Sequence, residues 1–125
     1  MRGLTGLLDL ARRARVTDVV RQAVPLGPRE RVLAAATDET SGATVVATTH
    51  HLALVDAGGS LAWRHPWHEV DSATWRGDTG LLTVVWVAHR RPGQWLVREP
   101  SRLQETLRER VQASVVLADE LLTDT

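Results

Sequence analysis

The stretch LAWRHPWHEVDSATWRGDTGLLTVVWVA, residues 61–88, decides the fold because its pattern predicts three consecutive β-strands. It contains four of the five tryptophans, and the chain has no tyrosine or phenylalanine. Alternating apolar side chains place the strands at Leu61–Arg64, Glu69–Arg76 and Leu81–Ala88. Pro66 follows the first of them and marks an edge position or a bend, since proline cannot donate to a neighbouring strand.

Two details of this stretch constrain the sheet further. In the second strand, Val70 cannot share a face with Ala73 and Trp75 under strict alternation, which predicts a bulge near Asp71–Ser72. The third strand, Leu81–Ala88, is apolar on both faces, so both faces need cover. One face belongs to the core, and we expect the N-terminal helix or a second subunit on the other.

Four more strands are predicted outside this stretch. Glu39–Gly42 and Ala57–Ser60 have the Gly and Ser content of turns between paired strands. The remaining predicted strands span residues 31–38, 43–50, 51–56 and 94–98. The complete pattern is a seven-stranded antiparallel sheet structure.

Helices are predicted at both ends of the chain. Ser101 and Gln104 match a capping box, and Leu103, Leu107 and Val111 recur every four residues behind it, which predicts an amphipathic helix over about 101–118. Apolar residues at three- and four-residue steps also predict an N-terminal helical extension over residues 1–24. The second unit, residues 25–125, then contains the strands and the C-terminal helix.

Composition bounds the class of protein. With 125 residues, 43% apolar and 24% charged, the chain suits a single globular domain. Without cysteine it has neither disulfides nor thiolate metal sites. Residues 1–15 do not match a secretory signal, and no apolar run reaches the roughly 18–20 residues of a spanning helix. We expect a cytoplasmic protein.

The order of seven short strands and one capped helix resembles the pleckstrin-homology (PH) superfold, and small actinobacterial PH-like domain proteins in particular. The segments that carry the resemblance are GPRERVLAAA (27–36), ATTHHLALVDAGGSLAWRHPWHEVDSATW (47–75) and EPSRLQETLRERV (99–111). It covers roughly residues 27–117 and implies an α+β fold, a PH-like barrel or sandwich capped by the C-terminal helix. It also implies a non-enzymatic role.

One departure from the PH pattern bears on ligands. PH domains that bind phosphoinositides use a lysine- and arginine-rich first hairpin loop, whereas the corresponding loop here, Asp38–Gly42, is acidic. Phosphoinositide binding by that route is therefore not expected.

Trp67 is the candidate partner-binding residue. The tryptophans within predicted strands are expected to fill the interior, each burying ~150–250 Å². Trp67 instead lies in the predicted break between strands, flanked by Arg64 and His68, a composition typical of interface anchors. We therefore predict that Trp67→Ala leaves folding intact and abolishes association.

No metal or catalytic site is predicted. His65 and His68 with Glu69 are the candidate ligands nearest in sequence, but they are not a helical pair on one face. Alternation sends His50 and His51 to opposite faces of the sheet. The chain also lacks a glycine-rich phosphate-binding loop, the Gly-x-Ser-x-Gly motif of serine hydrolases and the His-Glu-x-x-His motif of zinc proteases. We expect no cofactor and no enzyme activity.

The leading hypothesis is a binding or scaffolding module that acts through a protein partner or self-association, with Leu81–Ala88 as a candidate dimer contact. The alternative is a peripheral membrane domain. Residues 1–31 contain seven arginines against three acids, and Arg12, Arg13 and Arg15 lie on the polar side of the first predicted helix. A small-ligand or metal-binding barrel is a third hypothesis. Nucleic acid is not expected as a partner.

Overall fold

The computed structural model describes residues 18–98 and 102–123, with side chains of the C-terminal helix as far as residue 114. Seven strands form two antiparallel sheets, and a helix follows them. The strands are β1 (Val32–Thr37), β2 (Thr44–Thr48), β3 (His51–Val55), β4 (Leu61–Pro66), β5 (Val70–Arg76), β6 (Leu81–Trp86) and β7 (Gly93–Leu96). The C-terminal helix spans Arg102–Thr123.

The α+β class and the seven strands are confirmed. Sheet A contains the strands in the order β1-β2-β3-β4, and sheet B contains β5-β6-β7. Among the residues that the structure describes, these two sheets do not close into a barrel. The predicted bulge is also confirmed, because the register between β5 and β6 shifts between Val70 and Ser72.

The main core lies between the two sheets and under the C-terminal helix. Val45, Leu52 and Val84 are completely buried in it, and Leu82 is nearly so. The predicted helix face is confirmed for its first three positions, since Leu103 and Leu107 are buried and Val111 packs against the same core. Ser101, the proposed cap, lies outside the described residues. The helix therefore covers the end of the sandwich that the strands leave open.

Asp38 joins the two sheets at one corner. Its Oδ1 accepts a hydrogen bond from the Leu96 N–H at the end of β7 (2.7 Å), and its Oδ2 accepts one from the Ser41 hydroxyl (2.6 Å). Burial favours a higher pKa for this carboxyl. The hydrogen bonds from Ser41, Leu96 and Thr40 outweigh burial and lower the pKa below its ordinary value. The carboxylate thus ties sheet A to sheet B in its charged form.

A second, smaller core lies on the outer face of sheet A. Residues 18–23 are helical, and Val20 and Val24 bury their side chains against Val46, Ala53 and Val55. Residues 18–24 of the predicted N-terminal extension therefore pack on sheet A. Residues 1–17 lie outside the described residues, so the expectation that the N-terminal helix or a second subunit covers β6 stays a prediction. The outer side chains of β6 are half-buried, and the proposed dimer contact there stays a prediction.

Candidate functional site

Trp67 is not the exposed anchor expected from its place between strands. It begins a short 3-10 helix, Trp67–Glu69, and its side chain lies in the main core with 7% of its surface exposed. The indole N–H donates to the carbonyl of Thr48 (2.9 Å), which satisfies the polar atom inside the protein. This location corrects the surface interpretation, because a partner cannot reach the ring without opening the core.

The structure does not bring Trp67 together with its two predicted companions. Arg64 lies on the outer face of sheet A, where its Nη1 donates to the carbonyl of Pro25 (2.7 Å). His68 is exposed on the 3-10 helix. The three residues therefore form no common surface, and their partner-binding role stays a prediction. Arg12, Arg13 and Arg15 lie outside the described residues.

A different group of residues does converge, between the edge strand β4 and strands β6 and β7. The rings of Trp63 and Trp86 meet edge to face, with centroids 5.1 Å apart, and Trp63 lies 6.1 Å from Trp95. His65 follows Trp63 on the same face of β4 and contacts both Trp63 (5.1 Å) and Trp86 (5.0 Å). We call these four residues the aromatic cluster.

The imidazole of His65 is held on both sides by charged groups. Its Nδ1 lies 2.8 Å from Glu69 Oε2, and its Nε2 lies 2.8 Å from Arg90 Nη1. Because a guanidinium can only donate, Nε2 acts as the acceptor and Nδ1 carries the proton that is donated to Glu69. The network therefore fixes the orientation of the ring.

Arg90 and Val87 form the outer part of this site. The Arg90 guanidinium lies over the Trp86 ring, 5.7 Å from its centroid, in a cation–π contact. Val87 is 63% exposed, and its N–H donates to the Glu69 carbonyl (2.9 Å), which fixes it beside the network. No carboxylate among the described residues forms an ion pair with Arg90. Its other N–H groups are available to an external acceptor.

Sequence reasoning missed most of this site. The alternation in β4 indicates that Trp63 and His65 share a face, and Glu69 follows His65 by four residues. No sequence pattern indicates the role of Arg90, because this residue lies in the loop after β6 and contacts His65, which is 25 positions away in sequence. Only the packing of sheet B against β4 brings them together.

A second polar network lies on the outer side of sheet A. Glu30 buries its carboxylate, with 1% of the side chain exposed, against His51 Nδ1 (2.7 Å) and the Thr48 hydroxyl (2.5 Å). Its other oxygen accepts the Gly27 N–H (2.9 Å). Burial favours a higher pKa, but the hydrogen bonds from Gly27, His51 and Thr48 and the charge of His51 lower the pKa of Glu30 to about 2. We call this network the Glu30 clamp.

No protein family, curated protein or solved structure matches this chain. Within residues 18–98 and 102–123, no group of three or more histidine and acidic side chains is arranged to hold a metal ion. No helix in this part of the chain combines the length and apolar character needed to cross a membrane.

Proposed function

We propose that this protein is a non-enzymatic binding module that acts through protein–protein contacts. Its contact surface consists of Arg90, Val87 and the exposed parts of Trp63 and His65, and it binds an acidic segment of a partner protein. The observation that carries the proposal is Arg90, a guanidinium fixed by two contacts and paired with no carboxylate of the described chain.

The fixed geometry of Arg90 favours binding of a carboxylate. Stacking on Trp86 and the hydrogen bond to His65 limit the rotation of the side chain before a partner arrives. A guanidinium that is already ordered loses less conformational entropy on forming a bidentate pair with a carboxylate. Tryptophan and arginine are also among the residue types that are enriched at the energetic centres of protein interfaces.

The apolar neighbours of Arg90 supply the remaining contact area. Val87 lies three residues before Arg90 and exposes 63% of its surface, and Trp63 is half-buried at the edge of sheet A. An apolar side chain of the partner can cover both while its carboxylate pairs with Arg90. We expect the partner motif to combine an acidic residue with an apolar residue close in sequence.

We also propose that the sandwich is PH-like and that the protein is cytoplasmic. The arrangement that supports the first point is a four-stranded sheet packed on a three-stranded sheet, with a single helix at the open end. The PH superfold combines the same elements in the same order. A PH-like assignment is consistent with a binding role, because that scaffold is used mainly to present surfaces to partners.

Selection of short peptides from a random display library tests the proposed function. We expect the intact protein to enrich peptides that contain Asp or Glu beside an apolar residue. The affinity of a selected peptide is then measured by titration, with tryptophan fluorescence as the signal because Trp86 lies under Arg90. Arg90→Gln should weaken binding at least tenfold, since a hydrogen bond to a charged group contributes about 1.5–3 kcal/mol.

Two control variants make the result specific. Arg90→Lys keeps the charge but loses the planar pair of donors, so it should retain part of the affinity. Arg76→Gln removes an exposed arginine that is already paired with Asp78 and should bind as the wild type does. Selected peptides without acidic residues, or an Arg90→Gln variant with wild-type affinity, would contradict the proposal.

A further inference from the structure

The loop from Val24 to Arg31 presents an apolar side chain on the outer side of sheet A. Leu26 exposes 47% of its surface, and only Val87 is more exposed among the large apolar residues that the structure describes. Val24, two residues earlier, is buried against the sheet. The chain therefore leaves the small core at Val24 and carries Leu26 outward at once.

Three contacts hold this loop in place. Arg64 donates to the Pro25 carbonyl (2.7 Å), and the Glu30 clamp binds the Gly27 N–H at one end and Thr48 and His51 of sheet A at the other. Leu26 lies between these attachment points. Its exposure is thus a property of an ordered loop, and ordering it on a ligand costs little further entropy.

Exposed arginines flank Leu26 in the sequence, and Asp18 is the one exposed acid of residues 18–31. Arg21, Arg29 and Arg31 are all exposed, and none forms an ion pair with a carboxylate of the described residues. Glu30 lies between Arg29 and Arg31 in sequence, but it is buried in the Glu30 clamp and contributes little negative charge to the surface. Arg29 adopts a left-handed backbone conformation with a φ of 63°, which glycine or asparagine would adopt with less strain.

We propose that this surface docks on an anionic lipid bilayer, with Leu26 inserted among the acyl chains and Arg21, Arg29 and Arg31 paired with headgroup phosphates. The charge complementarity favours an anionic partner, and the exposed leucine at the centre favours lipid over nucleic acid. A surface for single-stranded nucleic acid presents stacking side chains, whereas residues 18–31 contain no aromatic residue. An ordered leucine flanked by arginines instead suits the boundary between headgroups and acyl chains.

The sequence that precedes the described residues supports the same occupant. Residues 1–17 join this surface at Asp18 and contain four arginines against one acid, Asp9. Their net charge has the same sign as that of the loop arginines. The surface lies on the opposite side of sheet A from the aromatic cluster, since Arg64 points to the loop while Trp63 and His65 point to sheet B. The proposal is therefore independent of the protein-binding function.

Sedimentation of the full chain with vesicles tests the proposal. The vesicles consist of phosphatidylcholine with or without phosphatidylglycerol, and we expect binding only to the second kind, falling as salt is raised. Each arginine near an anionic surface contributes about 1 kcal/mol, so the triple variant Arg21→Gln, Arg29→Gln, Arg31→Gln should bind roughly 100-fold more weakly. Leu26→Ser should weaken binding about fivefold.

The control variants separate location from net charge. The triple variant Arg76→Gln, Arg98→Gln, Arg108→Gln changes the net charge by the same amount at exposed sites outside the loop, and Val87→Ser removes an apolar side chain that is more exposed than Leu26. Both should bind vesicles nearly as the wild type does, and so should Arg90→Gln. Equal losses in both triple variants would overturn the proposal, because they would show that net charge alone decides binding.

Three further outcomes would also overturn it. The first is vesicle binding that the loop triple variant and Leu26→Ser leave unchanged, which would assign any binding to residues 1–17 alone. The second is absence of binding to phosphatidylglycerol vesicles by the wild type. The third is binding of a double-stranded oligonucleotide, lost in the loop triple variant, without binding of vesicles, which would identify the surface as one for nucleic acid.

Discussion

Replacement of Trp67 by alanine tests the placement of this residue in the core most directly. A buried tryptophan removes ~150–250 Å² from water, which at about 25 cal/mol per Å² corresponds to roughly 4–6 kcal/mol. Substitutions of buried tryptophan by alanine cost about 3–5 kcal/mol, and loss of the hydrogen bond to the Thr48 carbonyl adds to this. We expect Trp67→Ala to lower the free energy of unfolding by about 4 kcal/mol.

Urea unfolding followed by far-ultraviolet circular dichroism measures this loss. Tryptophan fluorescence is unsuitable because the substitution removes part of the signal. Trp67→Phe keeps most of the buried ring but loses the indole N–H, so it should cost only about 1–2 kcal/mol. Val87→Ala is the matched control for an exposed apolar residue and should change the free energy of unfolding by less than about 0.5 kcal/mol.

The result that would refute the reasoning is a Trp67→Ala variant as stable as Val87→Ala. Such a variant would show that the ring contributes nothing to the core. It would restore Trp67 as a candidate surface anchor beside Arg64 and His68. A variant that is too unstable to purify is distinguished from this case by Trp67→Phe, which retains enough stability to give a complete unfolding curve.

Two other predictions concern the Glu30 clamp and the aromatic cluster. The pKa of Glu30 is lowered on folding from 4.5 to about 2, so its stabilisation is present above pH 4.5 and is lost as the pH falls toward 2. The loss in the free energy of unfolding, measured with urea, should amount to about 3 kcal/mol. Glu30→Gln should remove this part of the pH dependence, whereas Asp78→Asn, a control at an exposed site, should retain it. In Gly93→Ala, the added methyl group would overlap the Trp95 ring, so we expect a loss of about 1–3 kcal/mol and a changed near-ultraviolet circular dichroism spectrum. An unchanged spectrum and stability would contradict the position of that ring.

Local patterns sufficed to predict the strands and the bulge. The side-chain period of two assigns each strand residue to a face, so the misfit of Val70 with Ala73 and Trp75 showed directly that one extra residue had to be accommodated. The C-terminal helix was equally predictable, because Leu103, Leu107 and Val111 repeat at the helical period. These features depend only on neighbours in sequence.

The sites could not be predicted in the same way because they depend on contacts between distant segments. Trp67 follows a proline and interrupts the alternation, which is typical of an exposed turn. The 3-10 helix instead turns its indole into the core, where the Thr48 carbonyl accepts its N–H. Glu30 likewise has no local pattern that would distinguish a buried acid, because its partners His51 and Thr48 become neighbours only when β2 and β3 pair.

Strand β4 relates the two proposed surfaces to each other. Its consecutive residues Trp63, Arg64 and His65 alternate in direction, so the arginine supports the loop on one side while the two rings support Arg90 on the other. An anionic bilayer repels an acidic protein segment unless the two are separated by about a Debye length, ~8–10 Å at physiological salt. From the two proposals together, we expect one domain to hold an acidic partner while it is docked on a membrane.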